Sequence, residues 1–302
     1  MMKPLVIALA FTAVAVPAAA QHENHGAPQA AAQQAQAPAR PQPIPPPAKM
    51  DESIPPAQEF VATALAASPR HSEWVDIPRG SAPSVRAFVV YPESKSKTGV
   101  VMVVHENRGL NDWARSVADQ LAEDGFIAIA IDMLSGMGPN GGHTESIAAD
   151  QVGRVLSGLT NEEANRRIDA VREYAIQIPA ANGAVGIVGF CWGGSRVFNY
   201  AIHQPAIDAG VVYYGGAPSD PVQLDLVVAP LLGLFGEDDA RVNTAVNAAL
   251  PILNKEKKRL DAHMFAGAGH GFLRQQFGRE ANLKAAEKAW PLTIKFFKEH
   301  LK

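Results

Sequence analysis

The stretch GFCWGG, at residues 189–194, constrains the fold of this chain more than any other feature. An apolar run at residues 184–188 precedes it, and a helix-like pattern at residues 195–203 follows it. A strand, a glycine-flanked turn and a helix together form the sharp bend that exposes a nucleophile above a sheet. The residue at the bend is Cys191, the only cysteine of the chain.

Two interpretations of Cys191 compete. A lone cysteine is most often a small buried hydrophobe. The neighbouring Gly189 and Gly193 favour the other interpretation, because glycines serve where the backbone needs positive φ or where elements pack closely. We therefore predict that Cys191 is a nucleophile. A single cysteine also excludes an internal disulfide framework.

The first 20 residues have the features of a secretory signal peptide. Lys3 gives a positive start, residues 5–16 are apolar, and alanines at residues 18–20 fit a cleavage site. The apolar run is too short for a membrane anchor, so we expect no membrane span. The expected location is outside the cytoplasm, periplasmic or secreted.

The composition changes after the signal peptide. Residues 21–58 are rich in Ala, Gln and Pro and predict a disordered leader, because they lack large apolar side chains to bury. Residues 59–302 have the right size for one α/β domain. The formal net charge is −3 with no basic block, which argues against a nucleic-acid partner.

Short apolar runs alternate with helical patterns through the rest of the chain. Strands are predicted at residues 84–91 (an antiparallel edge strand), 99–104, 126–131, 185–189, 209–214, 231–235 and 259–265. Helices are predicted at residues 111–124, 160–178, 195–203, 242–254 and 279–301, with a loop insertion at 133–158. This order predicts an α/β fold, a mostly parallel sheet with helices on both faces. Functional residues should lie at the carboxyl ends of the strands.

A base and an acid follow the last two predicted strands. His270 lies in the glycine-rich turn GAGHGF, and the order nucleophile, acid, histidine is that of α/β-hydrolases. For the acid, the pattern Gly-x-x-Asp-x-x-Val selects Asp239, and Asp238 is the alternative. Such an acid would hold the imidazole in one tautomer and stabilise its charged form.

The loop after the strand at residues 99–104 is a candidate for the oxyanion hole. In this fold it supplies one backbone N–H, here that of Asn107, and Trp192 after the nucleophile supplies the other. Glu106 in the same loop has two interpretations. Its carboxylate could accept the thiol proton of Cys191, or it is an exposed loop acid.

Four motifs give the chain a resemblance to the dienelactone hydrolase family of α/β-hydrolases over residues 84–300. They are ExxG at 106–109, GxCxGG at 189–194, DxxV at 239–242 and GHGFxR at 269–274. The resemblance implies an α/β-hydrolase fold and hydrolysis of cyclic enol-lactones, with no metal and no cofactor. It further implies that Glu106 contacts Cys191 in the resting enzyme and that Arg274 binds a substrate carboxylate.

The sequence leaves several alternatives open. The family's second arginine has no evident counterpart, and Arg154 and Arg166 are candidates for it. The partner is expected to be a small-molecule ester or lactone. The alternatives are a broad exported carboxylesterase with the same residues and a non-catalytic envelope binding protein on a hydrolase scaffold. The sequence does not indicate an oligomeric state.

Overall fold

A single mixed sheet organises the part of the chain that the computed structural model describes, residues 41–255 and 259–302. Its order is β1-β2-β4-β3-β5-β6-β7-β8. The strands are β1 (Ser72–Arg79), β2 (Ala82–Val90), β3 (Thr98–Val104), β4 (Ile127–Ile131), β5 (Ala181–Phe190), β6 (Ala209–Tyr213), β7 (Leu231–Asp238) and β8 (Leu260–Gly269). Strands β3 to β8 run parallel to one another. Strand β2 pairs in antiparallel fashion with β4 on one side and with β1 on the other.

Helices cover both faces of this sheet. They are α1 (Val61–Ala67), α2 (Asp112–Glu123), α3 (Val152–Ser157), α4 (Asn161–Gln177), α5 (Trp192–His203), α6 (Pro221–Leu224), α7 (Ala240–Leu253) and α8 (Glu280–His300). Alternate residues of β3 enter two separate apolar clusters. Met102 belongs to the cluster that includes residues of α4, α5 and α7, and Val103 belongs to the cluster that includes residues of α2 and α8. The predicted α/β fold with a mostly parallel sheet is confirmed.

The antiparallel end of the sheet differs from the prediction. The predicted strand at residues 84–91 is antiparallel as expected, but it is not the edge strand, because β1 lies outside it. Strand β1 was missed because most of its side chains are exposed, so its sequence lacks a clear apolar alternation.

Helix caps confirm several predicted boundaries, while the predicted insertion contains more structure than expected. The Asn111 side chain accepts a hydrogen bond from the backbone N–H of Ala114 at the start of α2, and Thr160 caps α4 in the same way. Residues 133–158, expected to be a loop, include two short 3-10 turns and α3. The buried Arg167 binds the carbonyl oxygens of Met133 and Ser135 and so fixes the start of this segment.

Residues 52–58, here called the N-terminal strap, lie within the predicted disordered leader but pack on the domain. Ile54 and Ala57 are 2% and 1% exposed. The carbonyl oxygen of Pro56 accepts a hydrogen bond from the Trp113 indole N–H. The boundary differs because a few apolar residues and backbone carbonyls suffice to dock a segment without a helix or strand pattern. The expected signal peptide and residues 21–40 of the leader lie outside the described residues.

No helix within residues 41–255 and 259–302 has the length and apolar character needed to cross a membrane.

Candidate active site

Five neighbouring strands end at the residues that form the candidate site. His105 follows β3, Cys191 follows β5, Tyr214 follows β6, Asp239 follows β7 and His270 follows β8. Because these strands are parallel, their carboxyl ends lie at one edge of the sheet, which is where α/β proteins bind ligands.

Cys191 occupies a strained turn between β5 and α5. Its φ and ψ are 54° and −111°, a conformation that residues other than glycine rarely adopt, and such strain concentrates at functional sites. The turn is held because the backbone N–H of Cys191 donates to the Tyr213 carbonyl oxygen at 3.0 Å. A side chain at Gly189 would lie 2.2 Å from the Gly193 carbonyl oxygen, so the turn requires glycine there. The free thiol of Cys191 is half-buried.

His270 connects Cys191 to an acid. Its Nδ1 lies 2.6 Å from Oδ2 of the buried Asp239, and the Cys191 side chain is close enough to the imidazole to raise its pKa. Burial by itself lowers the pKa of His270, but the interactions with Asp239 and Cys191 and their negative charges outweigh it and raise the pKa to about 9. The structure therefore brings together the three residues that the sequence assigned as nucleophile, acid and base.

The alternative acid, Asp238, has another partner. Its exposed carboxylate accepts a hydrogen bond from Nη1 of Arg279 at 2.5 Å. One position along the chain decides between the two acids, because β7 ends at Asp238 and the backbone then turns into α7.

Glu106 is buried rather than exposed, which removes the interpretation of a loop acid. Its Oε2 accepts a hydrogen bond from Nε of Arg274 at 2.7 Å, and its Oε1 accepts one from the Tyr214 hydroxyl at 3.4 Å. These partners differ from the resting contact with Cys191 that the family resemblance implies. The Tyr214 ring packs edge-on against His270, so Glu106 is one residue removed from the imidazole.

Burial, followed by the charge of Glu106, raises the pKa of Tyr214 well above its usual value. Tyr214 therefore remains a neutral donor to Glu106.

Arg274 is buried and already has two side-chain partners. Besides Glu106, it donates from Nη1 to Oε1 of Gln58 in the N-terminal strap at 2.5 Å. Its role in binding a substrate carboxylate stays a prediction. Arg274 also lines a cavity of about 450 Å³, and the second arginine in that wall is Arg108.

The two candidates that the sequence offered for a second arginine lie elsewhere. Arg166 pairs with Glu163 within α4, and Arg154 is exposed on α3. Neither of them lines the cavity beside Arg274.

The two predicted oxyanion donors come from the start of α5 and from the loop after β3. Trp192 is the first residue of α5, so its backbone N–H has no partner within the helix. Asn107 lies in the loop after β3, and the two segments approach closely, since a side chain at Gly193 would meet the Val104 carbonyl oxygen at 2.2 Å. Their assignment as oxyanion donors stays a prediction.

Sequence reasoning assigned no role to His105, which supports that loop. The buried His105 donates from Nδ1 to the Glu106 carbonyl oxygen at 2.6 Å and accepts from the Met133 N–H at Nε2. Its ring stacks on the Trp192 ring, with 5.9 Å between the ring centroids. Burial lowers the pKa of His105, so the neutral tautomer that makes both bonds is favoured.

Two further residues at the site had different sequence signals. Tyr214 is the last residue of a predicted strand. Because functional residues were expected at the carboxyl ends of the strands, its place at the site could have been predicted. Gln58 had no signal, because it lies in the proline-rich segment assigned to the leader.

The strained turn, the parallel sheet and the site at its carboxyl edge define an α/β-hydrolase fold. Comparisons with known proteins agree. The model of the dienelactone hydrolase family matches residues 85–301. A protein of Saccharolobus solfataricus named "Putative carboxymethylenebutenolidase" is 28% identical over 247 residues, covering 71% of this chain and 93% of its own.

Solved structures support the fold. The crystal structure of dienelactone hydrolase from Anabaena variabilis is 21% identical with a TM-score of 0.59, covering 77% of this chain and 99% of that one. An acylaminoacyl peptidase from Pyrococcus horikoshii is 15% identical with a TM-score of 0.60, covering 80% of this chain and 44% of that one. The family match shows that the chain belongs to the dienelactone hydrolase family, and with the named relative it supports a hydrolase activity.

Proposed function

We propose that this protein hydrolyses a small ester or lactone through Cys191, His270 and Asp239, with a thioester intermediate. One observation carries the proposal: Cys191 on a strained turn lies beside an imidazole whose Nδ1 is held by a buried carboxylate. This is the arrangement of an activated nucleophile with a base and an orienting acid.

The mechanism is acyl transfer in two steps. With Nδ1 held by Asp239, Nε2 of His270 holds the proton of the Cys191 thiol, and the sulfur attacks the ester carbonyl carbon. The backbone N–H groups of Asn107 and Trp192 bind the resulting oxyanion. His270 then donates the proton to the leaving oxygen as the carbon–oxygen bond breaks.

The second step releases the acid. His270 takes a proton from a water molecule, whose oxygen attacks the thioester carbonyl, and the carbon–sulfur bond breaks to regenerate Cys191. The N-terminus of α5 begins directly after Cys191, and its dipole stabilises negative charge on the sulfur and the oxyanion. Both carboxylate oxygens of Glu106 already accept hydrogen bonds, from Arg274 and Tyr214. These steps therefore do not use Glu106 as a separate base.

The substrate class has two candidates. The family and the name of the relative from Saccharolobus solfataricus favour an enol-lactone that carries a carboxylate. A broad carboxylesterase acting on uncharged esters is the second candidate. It is favoured because the guanidinium of Arg274 is already occupied by Glu106 and Gln58. We also propose that the enzyme acts outside the cytoplasm, on the strength of the signal-peptide features of residues 1–20.

The mechanism is tested with purified wild-type protein, Cys191→Ala and His270→Ala, using a dienelactone and a 4-nitrophenyl ester. Both variants should lose turnover, and intact-mass spectrometry of the wild type should show an acyl adduct on Cys191. His263→Ala is the matched control, because His263 also pairs with an aspartate, Asp261 at 3.2 Å, but lies on β8. Wild-type turnover in both Cys191→Ala and His270→Ala would end the proposal.

A further inference from the structure

The N-terminal strap is fixed to the domain at several points near Arg274. The strap's backbone oxygens at Glu52, Pro55 and Pro56 accept hydrogen bonds from the side chains of Gln120, Gln276 and Trp113, respectively. The backbone N–H of Gln58 donates to the Arg274 carbonyl oxygen at 3.0 Å. Because these hydrogen bonds fix the backbone, they also fix the position of the Gln58 side chain.

In that position the side chain contacts the guanidinium of Arg274. Oε1 of Gln58 accepts from Nη1, and Nε2 of the same amide donates to Glu59 at 3.3 Å, which sets the amide with its oxygen toward the arginine. Gln58 is exposed and Arg274 is buried, so the amide lies between the guanidinium and solvent. Gln58, Arg108 and Arg274 also line the same cavity of about 450 Å³.

A carboxylate entering this cavity has a poor site as the structure stands. A guanidinium binds a carboxylate best through two parallel N–H donors. One edge of Arg274 holds Glu106 through Nε, and Nη1 of the other edge holds Gln58. The carboxylate must therefore displace the amide of Gln58 and place a second negative charge near Glu106, at a position where burial weakens solvent screening.

We propose that Gln58 is a specificity-determining residue that disfavours carboxylate-bearing substrates by occupying Nη1 of Arg274. This inference rests on the proposed ester hydrolysis and narrows its substrate class to uncharged esters and lactones. A neutral substrate does not need Nη1, so the amide of Gln58 does not oppose it. Arg274 then serves to hold Glu106 in place.

The test compares two aryl esters of equal chain length, 4-nitrophenyl valerate and mono-4-nitrophenyl glutarate, which differ in a terminal methyl or carboxylate. The readout is the ratio of kcat/KM for the charged over the neutral ester. This ratio is independent of the fraction of folded enzyme. Gln58→Ala and the length-conserving Gln58→Met should raise it by about three- to tenfold, the effect of freeing one partly exposed donor. Gln58→Glu, which keeps Nη1 occupied and adds a negative charge, should lower it.

Gln120→Ala is the matched control, since it removes another glutamine contact to the strap without touching Arg274. It should leave the ratio unchanged. A ratio within about twofold of wild type in both Gln58→Ala and Gln58→Met, or an equal rise in Gln120→Ala, overturns the proposal.

Ligand binding separates this inference from the proposed function. In calorimetric titrations, glutarate should bind Gln58→Met more tightly than wild type by a similar factor, whereas uncharged glutaramide should not. If neither ester is hydrolysed by wild type, the proposed function fails. The assignment of Gln58 is then decided by glutarate alone, and equal affinity in the two proteins refutes it.

Discussion

Replacing Asp239 by asparagine tests the link between geometry and proton affinity most directly. The carboxylate lies 2.6 Å from Nδ1 of His270 and is one of the causes that raise the pKa of His270 to about 9. Asparagine keeps the size of the side chain but removes its charge. It can also offer its amide N–H to Nδ1 and so favour the wrong tautomer.

The size of the expected fall in the His270 pKa follows from the strength of the hydrogen bond to Asp239 and from the exposure of the His270 side chain. A hydrogen bond to a charged group contributes about 1.5–3 kcal/mol. The His270 side chain is 34% exposed, so solvent screening favours the lower end of that range. A loss of about 1.5 kcal/mol corresponds to roughly one pKa unit. We therefore expect the pKa of His270 to fall to about 8 in Asp239→Asn, and kcat/KM to fall by about 100-fold or more because the base is misoriented.

The assay is an NMR titration of the His270 ring protons, with Asp238→Asn as the matched control. Asp238 is the neighbouring acid and pairs with Arg279, so its replacement should leave the pKa of His270 at the wild-type value. An unchanged pKa in Asp239→Asn, or an equal fall in Asp238→Asn, would refute the reasoning.

The same shift has a consequence for stability. The pKa of His270 in the folded protein, about 9, exceeds its ordinary value of 6.5. Protonated His270 therefore stabilises the fold fully below about pH 6.5, and this contribution is lost as the pH rises through about 9. The free energy of unfolding, measured with urea at pH 6 and pH 9.5, should fall less between these values in Asp239→Asn than in wild type.

Two further substitutions test the support of the site. Gly193→Ala places a methyl group 2.2 Å from the Val104 carbonyl oxygen and should lower the free energy of unfolding by about 3 kcal/mol. Gly153 is a helical glycine, and a methyl group there would have its nearest neighbour at 3.9 Å. Gly153→Ala should therefore raise the free energy of unfolding by about 0.5–1 kcal/mol. Urea unfolding measures both, and equal effects would contradict the packing argument. His105→Phe keeps an aromatic ring but leaves the Glu106 carbonyl oxygen without its donor. It should lower the free energy of unfolding by about 1–3 kcal/mol in the same assay, and it should lower kcat more than it changes KM. An unaltered kcat would show that the loop does not depend on His105.

The sequence predicted well wherever function follows from local chemistry. The glycines around Cys191 require a sharp turn, and the structure shows why: side chains at Gly189 and Gly193 would collide with backbone atoms. The order of the motifs along the chain also predicted that Asp239 and His270 would meet Cys191. Parallel strands bring their carboxyl ends to one edge, whatever the distance between them in sequence.

The predictions failed where partners come from distant segments with weak patterns. Strand β1 is mostly exposed, so its residues carry little apolar signal, and its position outside β2 depends on pairing rather than on its own sequence. The N-terminal strap has neither helical nor strand periodicity, yet its backbone carbonyls dock on side chains more than 50 positions away.

By itself, the sequence determined the α/β-hydrolase fold, the strained turn at Cys191 and the residue types that surround it, because turn geometry and apolar periodicity are local properties. Only the tertiary structure decided the partners of the other charged groups. Asp238 pairs with Arg279, and Glu106 is held by Arg274, which is itself covered by Gln58. Such choices depend on where a side chain points and which buried donors lie within reach, and both are set by the packing of segments far apart in the chain.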